Sequence, residues 1–360
     1  MRTHLVATAW LLSLAAPAFA DNLSSIAQVG TANSVVVQQQ QLTDVAQTSS
    51  TVRQEGTGHI ANVNQKGEGQ STAAIGQNGA SQEAYVEQFS QPTGNEGVIQ
   101  QTGSHNNATI LQYGTGSGGT YQYAEIEQAG QGNAAEIDQG DEAAGSTIVQ
   151  TGDGNNAMSV QSPTLSASAS SIINQVGTDN RSDVRQSATF GGAASEIVQL
   201  GQQNRALAQQ NLGFASGDVV IGQDGSANVA EITQDGGYAR QEADINQYGD
   251  RNEAKLVQDG GDMNNFATVV QTGSGNKVDG HQTGNYTLNR LDITQDGFDN
   301  RAAVLQSGTF SQLIAEIEQT GSMNVVELHQ ELGDGPSGLT FSVQQSGDGN
   351  VANVVQSLGP

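Results

Sequence analysis

The chain has 360 residues, 35% of them hydrophobic, 4% aromatic and none cysteine. That is length enough for two ordinary domains but too few large apolar side chains to fill their cores, and it excludes disulfides, thiol chemistry and cysteine-based metal sites. The formal net charge of −25 at pH 7 opposes nucleic acid or anionic lipid as a partner and favours solubility and water retention.

At the N-terminus, Met1-Arg2-Thr3-His4 is a short basic start, Leu5 to Leu14 an apolar stretch and Ala18-Phe19-Ala20 a small-x-small site. Together they predict a secretory signal peptide over 1–20 and a mature chain from Asp21. No later stretch approaches the roughly 18 apolar residues that a spanning helix needs, so no membrane span is expected. Losing Arg2 leaves 11 basic against 37 acidic residues, a mature net charge of −26.

The chain holds 44 Gln and 27 Asn against 5 Pro, a bias that means either disorder or β-assembly, according to whether the apolar residues recur at fixed intervals. They do. Aligning on Gln-x-Gly gives 14 anchor glutamines: Gln28, Gln54, Gln77, Gln101, Gln128, Gln150, Gln175, Gln199, Gln223, Gln247, Gln271, Gln295, Gln319 and Gln345. Six successive intervals, from Gln175 to Gln319, are 24 residues each. The irregular ones coincide with loop-like insertions at Gly114 to Gly119, Ser162-Pro163 and Gly335 to Gly338. Counting from the anchor, Gly stands at +2 in all 14 copies, as at Gly30, Gly130, Gly201, Gly225, Gly321 and Gly347. Another Gln stands at +11 in all 14, as at Gln39, Gln65, Gln139, Gln210, Gln234, Gln330 and Gln356. Asn stands at +5 in 12, including Asn33, Asn133, Asn204, Asn228, Asn324 and Asn350, the exceptions being His59 and Gln82.

Fixed residues at −4, −2 and 0 and again at +5, +7, +9 and +11 are two apart, the side-chain period of a strand. Each repeat is therefore strand, turn, strand, turn, with the glycine at +2 in the first turn and the fixed residues facing inward. One such pair cannot bury its apolar face alone, whereas stacked copies can. The expected fold is all-β: a two-sheet parallel β-solenoid, cross-β and amyloid-like, of about 14 strand-turn-strand repeats over residues 21–360. Inward carboxamides are tolerable there because a Gln above an identical Gln bonds its neighbour along the axis. Both ends read like the middle, without a polar cap, so the top of one molecule is expected to accept the bottom of another and propagate a filament. The ladder residues Gln28, Gln54, Gln128, Gln199, Gln223, Gln319 and Gln345, with the +5 asparagines Asn33, Asn133, Asn204, Asn228, Asn324 and Asn350 and the +11 glutamines Gln39, Gln65, Gln139, Gln210, Gln234, Gln330 and Gln356, are the candidate polymerisation site.

Other chemistry is sparse. Gly114 to Gly119 fits a phosphate-loop spacing formally, but no βαβ pattern surrounds it. His59, His105, His281 and His329 are scattered singly. Gly152-Asp153-Gly154-Asn155 and Gly347-Asp348-Gly349-Asn350 resemble oxygen-rich calcium turns, yet the nonapeptide calcium repeat is absent and ordinary turn chemistry explains them. No enzyme activity, cofactor or metal is expected. The outward acids Glu125, Glu196, Asp244, Asp292 and Glu316 are read as gatekeepers against premature aggregation. The basic residues Arg181, Arg205, Lys277 and Arg301 at +6 are read as offsetting nearby carboxylates, and Gln241 is read as outward.

The motif Gln-x-Gly-x-x-Asn-x-Ala-x-x-x-Gln, as in Gln128-Ala129-Gly130-Gln131-Gly132-Asn133-Ala134-Ala135-Glu136-Ile137-Asp138-Gln139, resembles the curlin repeat of bacterial curli fibres, and the resemblance covers essentially the whole mature chain. It implies a secreted functional amyloid of the biofilm matrix, a cell-surface fimbrium that supports adhesion and aggregation. It also implies two partners besides the chain itself, a nucleator subunit and an outer-membrane curli-type secretion channel. A minor nucleator or a monomeric β-solenoid adhesin are alternative readings. An ice-binding surface would need an outward Thr array, and a polysaccharide-cleaving β-helix would need three strands per rung and a cleft of carboxylates; neither pattern is present.

Overall fold

A computed structural model describes residues 8–11, 22–42, 47–90, 94–114, 121–140, 143–164, 167–238, 240–261, 264–285, 288–309, 312–333 and 338–358. The expected cleavage site at 18–20, and the insertions at 115–119 and 335–337, lie outside them. Among the described residues the chain is all-β, a parallel two-sheet solenoid without helix.

The chain forms two compact units, residues 1–179 and 180–360. In each, the strands that carry the anchor glutamines make one sheet and the return strands that carry +6 to +11 make the other. In the first unit the anchor strands run from Leu23–Thr31 to Ser168–Thr178 and the return strands from Ser34–Gln41 to Asn156–Gln161. In the second, return strands run from Arg181–Ala188 to Val351–Leu358 and anchor strands from Gly192–Gln202 to Gly338–Asp348. Neighbouring copies pair in parallel with equivalent residues opposed, as Gln199 with Gln223 and Gln210 with Gln234.

Alternation along each strand sorts the side chains. In Gly192–Gln202, Ala193, Ser195, Ile197 and Gln199 are buried, whereas Glu196 and Leu200 are exposed. Ile99, Ile126, Ile148 and Ile173 in the first unit, and Ile197, Ile221 and Ile245 in the second, all at −2, form the apolar spine of their own unit, each worth about 1.5–3 kcal/mol for its burial. The acids Glu125, Glu196, Asp244, Asp292 and Glu316 lie on the outer faces, as expected.

The first turn is tighter than the glycine pattern alone implies. Gly225 has φ +126°, and a Cβ there would sit 2.0 Å from the Gly249 carbonyl oxygen of the next rung, so rung contact as well as conformation demands glycine. Two residues on, the +4 residue is left-handed in every copy. Its identity varies: Ala32, Ser81, His105, Asp179, Gln203, Ala227, Arg251, Asp299 and Met323 have φ between 51° and 57°, and the other copies use glycine.

At the second turn the residues at +13 and −6 share one space. Leu212 fills it where −6 is Gly217, whose added Cβ would lie 2.7 Å from the Leu212 Cδ1. Where +13 is Gly236, the side chain of Gln241 fills it instead, its Nε2 placed 2.6 Å from where a glycine Cβ would stand. Gln241 is 1% exposed, which corrects the outward reading. It stands six residues before its anchor, an even number, and therefore on the inward face.

Thr8–Leu11, inside the expected leader, pairs in parallel with Ser34–Val37 at the outer edge of the first return strand.

Candidate functional site

The invariant glutamines form two continuous columns in each unit. In the first unit Gln28 Nε2 donates to Gln54 Oε1 at 2.7 Å, and the chain continues through Gln77, Gln101, Gln128 and Gln150 to Gln175 with steps of 2.8–2.9 Å. A second column runs from Gln39 through Gln65, Gln88, Gln112 and Gln139 to Gln161, at 2.8–3.0 Å. In the second unit the columns run from Gln199 through Gln223 to Gln319 and Gln345, and from Gln186 through Gln210 and Gln234 to Gln330 and Gln356. All the interior members are buried.

The asparagines at +5 form a third column with a different bond pattern. Where asparagine follows asparagine, the backbone N–H donates to the Oδ1 of the rung before, as Asn133 to Asn106, Asn228 to Asn204 and Asn324 to Asn300, all at 3.0 Å. Each Nδ2 donates forward to the carbonyl of the next rung's +2 glycine, as Asn133 to Gly152, Asn204 to Gly225 and Asn324 to Gly347. This stitches the first turn to its neighbour, and it explains why Asn rather than the longer Gln stands there. His59 and Gln82 occupy the same column fully buried; the His59 amide donates to Asn33 Oδ1 at 3.1 Å and its ring Nε2 lies 3.1 Å from the Glu55 carbonyl.

Every predicted ladder residue thus lies in a column, and the structure brings them together within each unit. Column ends differ from the interior. Gln28, Gln39 and Gln356 are half-buried and Asn350 exposed. The strands Gly338–Asp348 and Val351–Leu358 are recorded with a paired strand on one side only, and Val351 and Val355 are 73% and 70% exposed.

Other expected residues sit apart from the columns. His281 and His329 lie on the outer face beside Asp279 and Glu327, around a shallow depression of about 500 Å³. Lys277 pairs with Glu253 of the neighbouring rung at 2.8 Å, an exposed contact worth about 0–1 kcal/mol.

Three features were not anticipated. The left-handed +4 position has no fixed residue type to betray it. The column Gln241, Asn265, Asn289 is buried, and both amide atoms of Asn265 and Asn289 lack hydrogen-bond partners. Phe190, Phe214 and Tyr238 stack in the second unit with centroids 4.6 and 4.8 Å apart and are half or more exposed; their spacing of 24 residues was present in the sequence. On the outer faces of the first unit, Tyr85 bonds Glu87, and Tyr123 bonds Glu125 at 2.7 Å. Burial and then the adjacent carboxylate push both phenols up to about 12.

No family model matches the chain, and no curated protein matches it.

Proposed function

We propose that the mature chain is a structural subunit that self-assembles end to end into an extracellular, curli-like amyloid fibre of a bacterial biofilm matrix. The observation that carries this reading is the rung edge. Gly338–Asp348 and Val351–Leu358 have the same ladder glutamines and the same strand register as interior rungs but a recorded strand neighbour on one side only. An edge of this kind offers main-chain N–H and C=O groups to any matching strand. That the Ser34–Val37 edge takes on the unrelated segment Thr8–Leu11 illustrates how readily such an edge recruits a strand.

Self-complementarity favours a homopolymer. The best match for the edge of one rung is another rung of the same design, because only like amides stack in register. Secretion follows from the signal peptide expected over 1–20, while export through an outer-membrane curli-type channel, nucleation by a second subunit and a role in adhesion follow from the curlin resemblance. The mature protein, incubated at tens of micromolar, is expected to form dye-binding fibres after a lag that preformed fibres abolish. Protein that stays monomeric under those conditions contradicts the fibre reading and favours a monomeric solenoid adhesin.

A further inference from the structure

The outer face of the anchor sheet in the second unit carries a hollow of about 470 Å³ that no ladder or turn residue lines. It spans four successive anchor strands, Arg240–Asp250, Asn264–Ser274, Leu288–Phe298 and Gln312–Ser322, and the parallel register explains it. Along one outward column Glu242, Phe266, Arg290 and Ile314 stand on one another, and along the next, two residues further on, stand Asp244, Thr268 and Asp292. Thr268 is the small member between two acids, so the space that a longer side chain would fill is open beside Phe266. Phe266 and Ile314 are half-buried and Leu288 is 39% exposed, which gives the hollow an apolar floor.

The charges around it are unevenly matched. Arg290 Nε holds Asp292 Oδ2 at 2.7 Å, and Arg240 holds Glu242 at 3.2 Å and Asp218 at 3.6 Å. Asp244 has no cation among the described residues; the Asn246 amide donates to it at 2.8 Å. Asp244 is half-buried, and burial raises its carboxyl above the ordinary value, an effect that Asn246 opposes and the charge of Glu242 reinforces. A carboxylate so placed loses hydration without gaining a counter-charge. Three carboxylates against one engaged guanidinium repel an anion. A divalent metal would need several oxygen ligands at once, and the neighbouring carboxylates are held by arginines. A neutral apolar molecule would desolvate Asp244 further with nothing in return. The remaining fit is a cation with an apolar body.

Spacing narrows the class. Asp244 and Phe266 are diagonal neighbours, one rung apart along the axis and two residues apart along the strand, which sets their Cα atoms about 8 Å apart. A nitrogen on Asp244 and a ring against Phe266 are joined across that span by about two or three methylene groups. The geometry points to a binding site for an arylalkylammonium ion, its ammonium on Asp244 and its ring on the apolar floor of Phe266, Leu288 and Ile314. A ligand of this size on an open site binds at about 1 mM. All these residues belong to one unit, so the site is present in a single chain whether or not fibres form.

The probe is 2-phenylethylamine, added to the mature chain in about 150 mM salt, where diffuse attraction to the net negative charge is screened. Saturation-transfer NMR should show saturable binding. Asp244→Asn is expected to weaken it at least about tenfold by removing the counter-charge, and Phe266→Ser at least about threefold by removing apolar contact. Glu196→Gln, which removes one charge from the equivalent position two rungs before Asp244, should leave it unchanged. Both test variants alter outward side chains and leave the buried columns intact, and circular dichroism checks that the strands persist. Butylamine, which has the charge without the ring, and 2-phenylethanol, which has the ring without the charge, should each bind more weakly than the probe. Equal binding of butylamine would mean simple counterion attraction, and equal binding of 2-phenylethanol a neutral site. Either result, an affinity that Asp244→Asn leaves unchanged, or no saturable binding up to about 20 mM would overturn the assignment.

Discussion

A buried amide left without a partner costs about 1–3 kcal/mol, so a core containing dozens of carboxamides is stable only if each one is matched. Gln223 shows the match: it accepts from Gln199, donates to Gln247 at 2.8 Å and donates to the Arg205 carbonyl. Gln223→Leu breaks all three bonds and strands three groups, so it should destabilise the surrounding rungs by at least about 2 kcal/mol in denaturant unfolding. The outward Gln344→Leu should stay within about 0.5 kcal/mol. The column residues were legible because identity at fixed spacing is what stacking requires. The left-handed +4 residue was not, because any side chain is accommodated there at a conformational cost of about 1–2 kcal/mol. Ala227 has φ 57°, and the equivalent Gly132 and Gly349 have open space where a Cβ would be. Ala227→Gly is therefore expected to raise stability by about 0.5–1 kcal/mol, measured by thermal or denaturant unfolding; a loss would show that chain entropy outweighs the strain.

At the scale of the strand, packing at the second turn is set by pairs rather than by single positions. Leu212 with Gly217 and Gly236 with Gln241 fill the same space from opposite sides, a compensation that one repeat read alone does not reveal. This is also why Gln241 misled: its type suggested surface, whereas its parity relative to the anchor placed it in the core. Asn289 stands in the same column with both amide atoms unpaired, and the next rung has the buried Leu313 there. Asn289→Leu should consequently be neutral or stabilising by about 1 kcal/mol in unfolding experiments, while a clear destabilisation would mean that its amide is satisfied in solution.

The outer strand faces carry a pH signature. Tyr85 and Tyr123 are held neutral up to about 12 by burial and by Glu87 and Glu125 respectively. An unfolded phenol ionises near 10, so the fold binds these protons more tightly than the unfolded chain does. Their contribution is fully present below about pH 10 and is lost as pH rises through about 12. Absorbance titration of the phenols should show this late ionisation, and stability should fall over the same window. Asp138 and Asp244 shift in the same direction: burial raises both, so the fold favours their neutral forms, and their contribution is lost as pH rises through the carboxylate range.

At the scale of the whole molecule, the arithmetic of composition and period specified a solenoid because no other arrangement buries so thin an apolar stripe and so many amides at once. The two-strand repeat, the inward parity and the parallel register all follow from spacing, and the structure has them. The direction of the ladders does not follow from spacing; it needs the main-chain carbonyls that amides such as those of Gln54, Gln223 and Gln319 meet across the core.

Hydrogen exchange of the glutamine side-chain amides, compared between monomer and fibre, tests the ladder account most directly. The amide of Gln223 should be protected in both states and the exposed amide of Gln344 in neither, while the amides of Gln345 and Gln356 should pass from partial protection in the monomer to the protection of Gln223 in the fibre. Rapid exchange at Gln223, or unchanged exchange at Gln345 and Gln356 after fibres form, would contradict it.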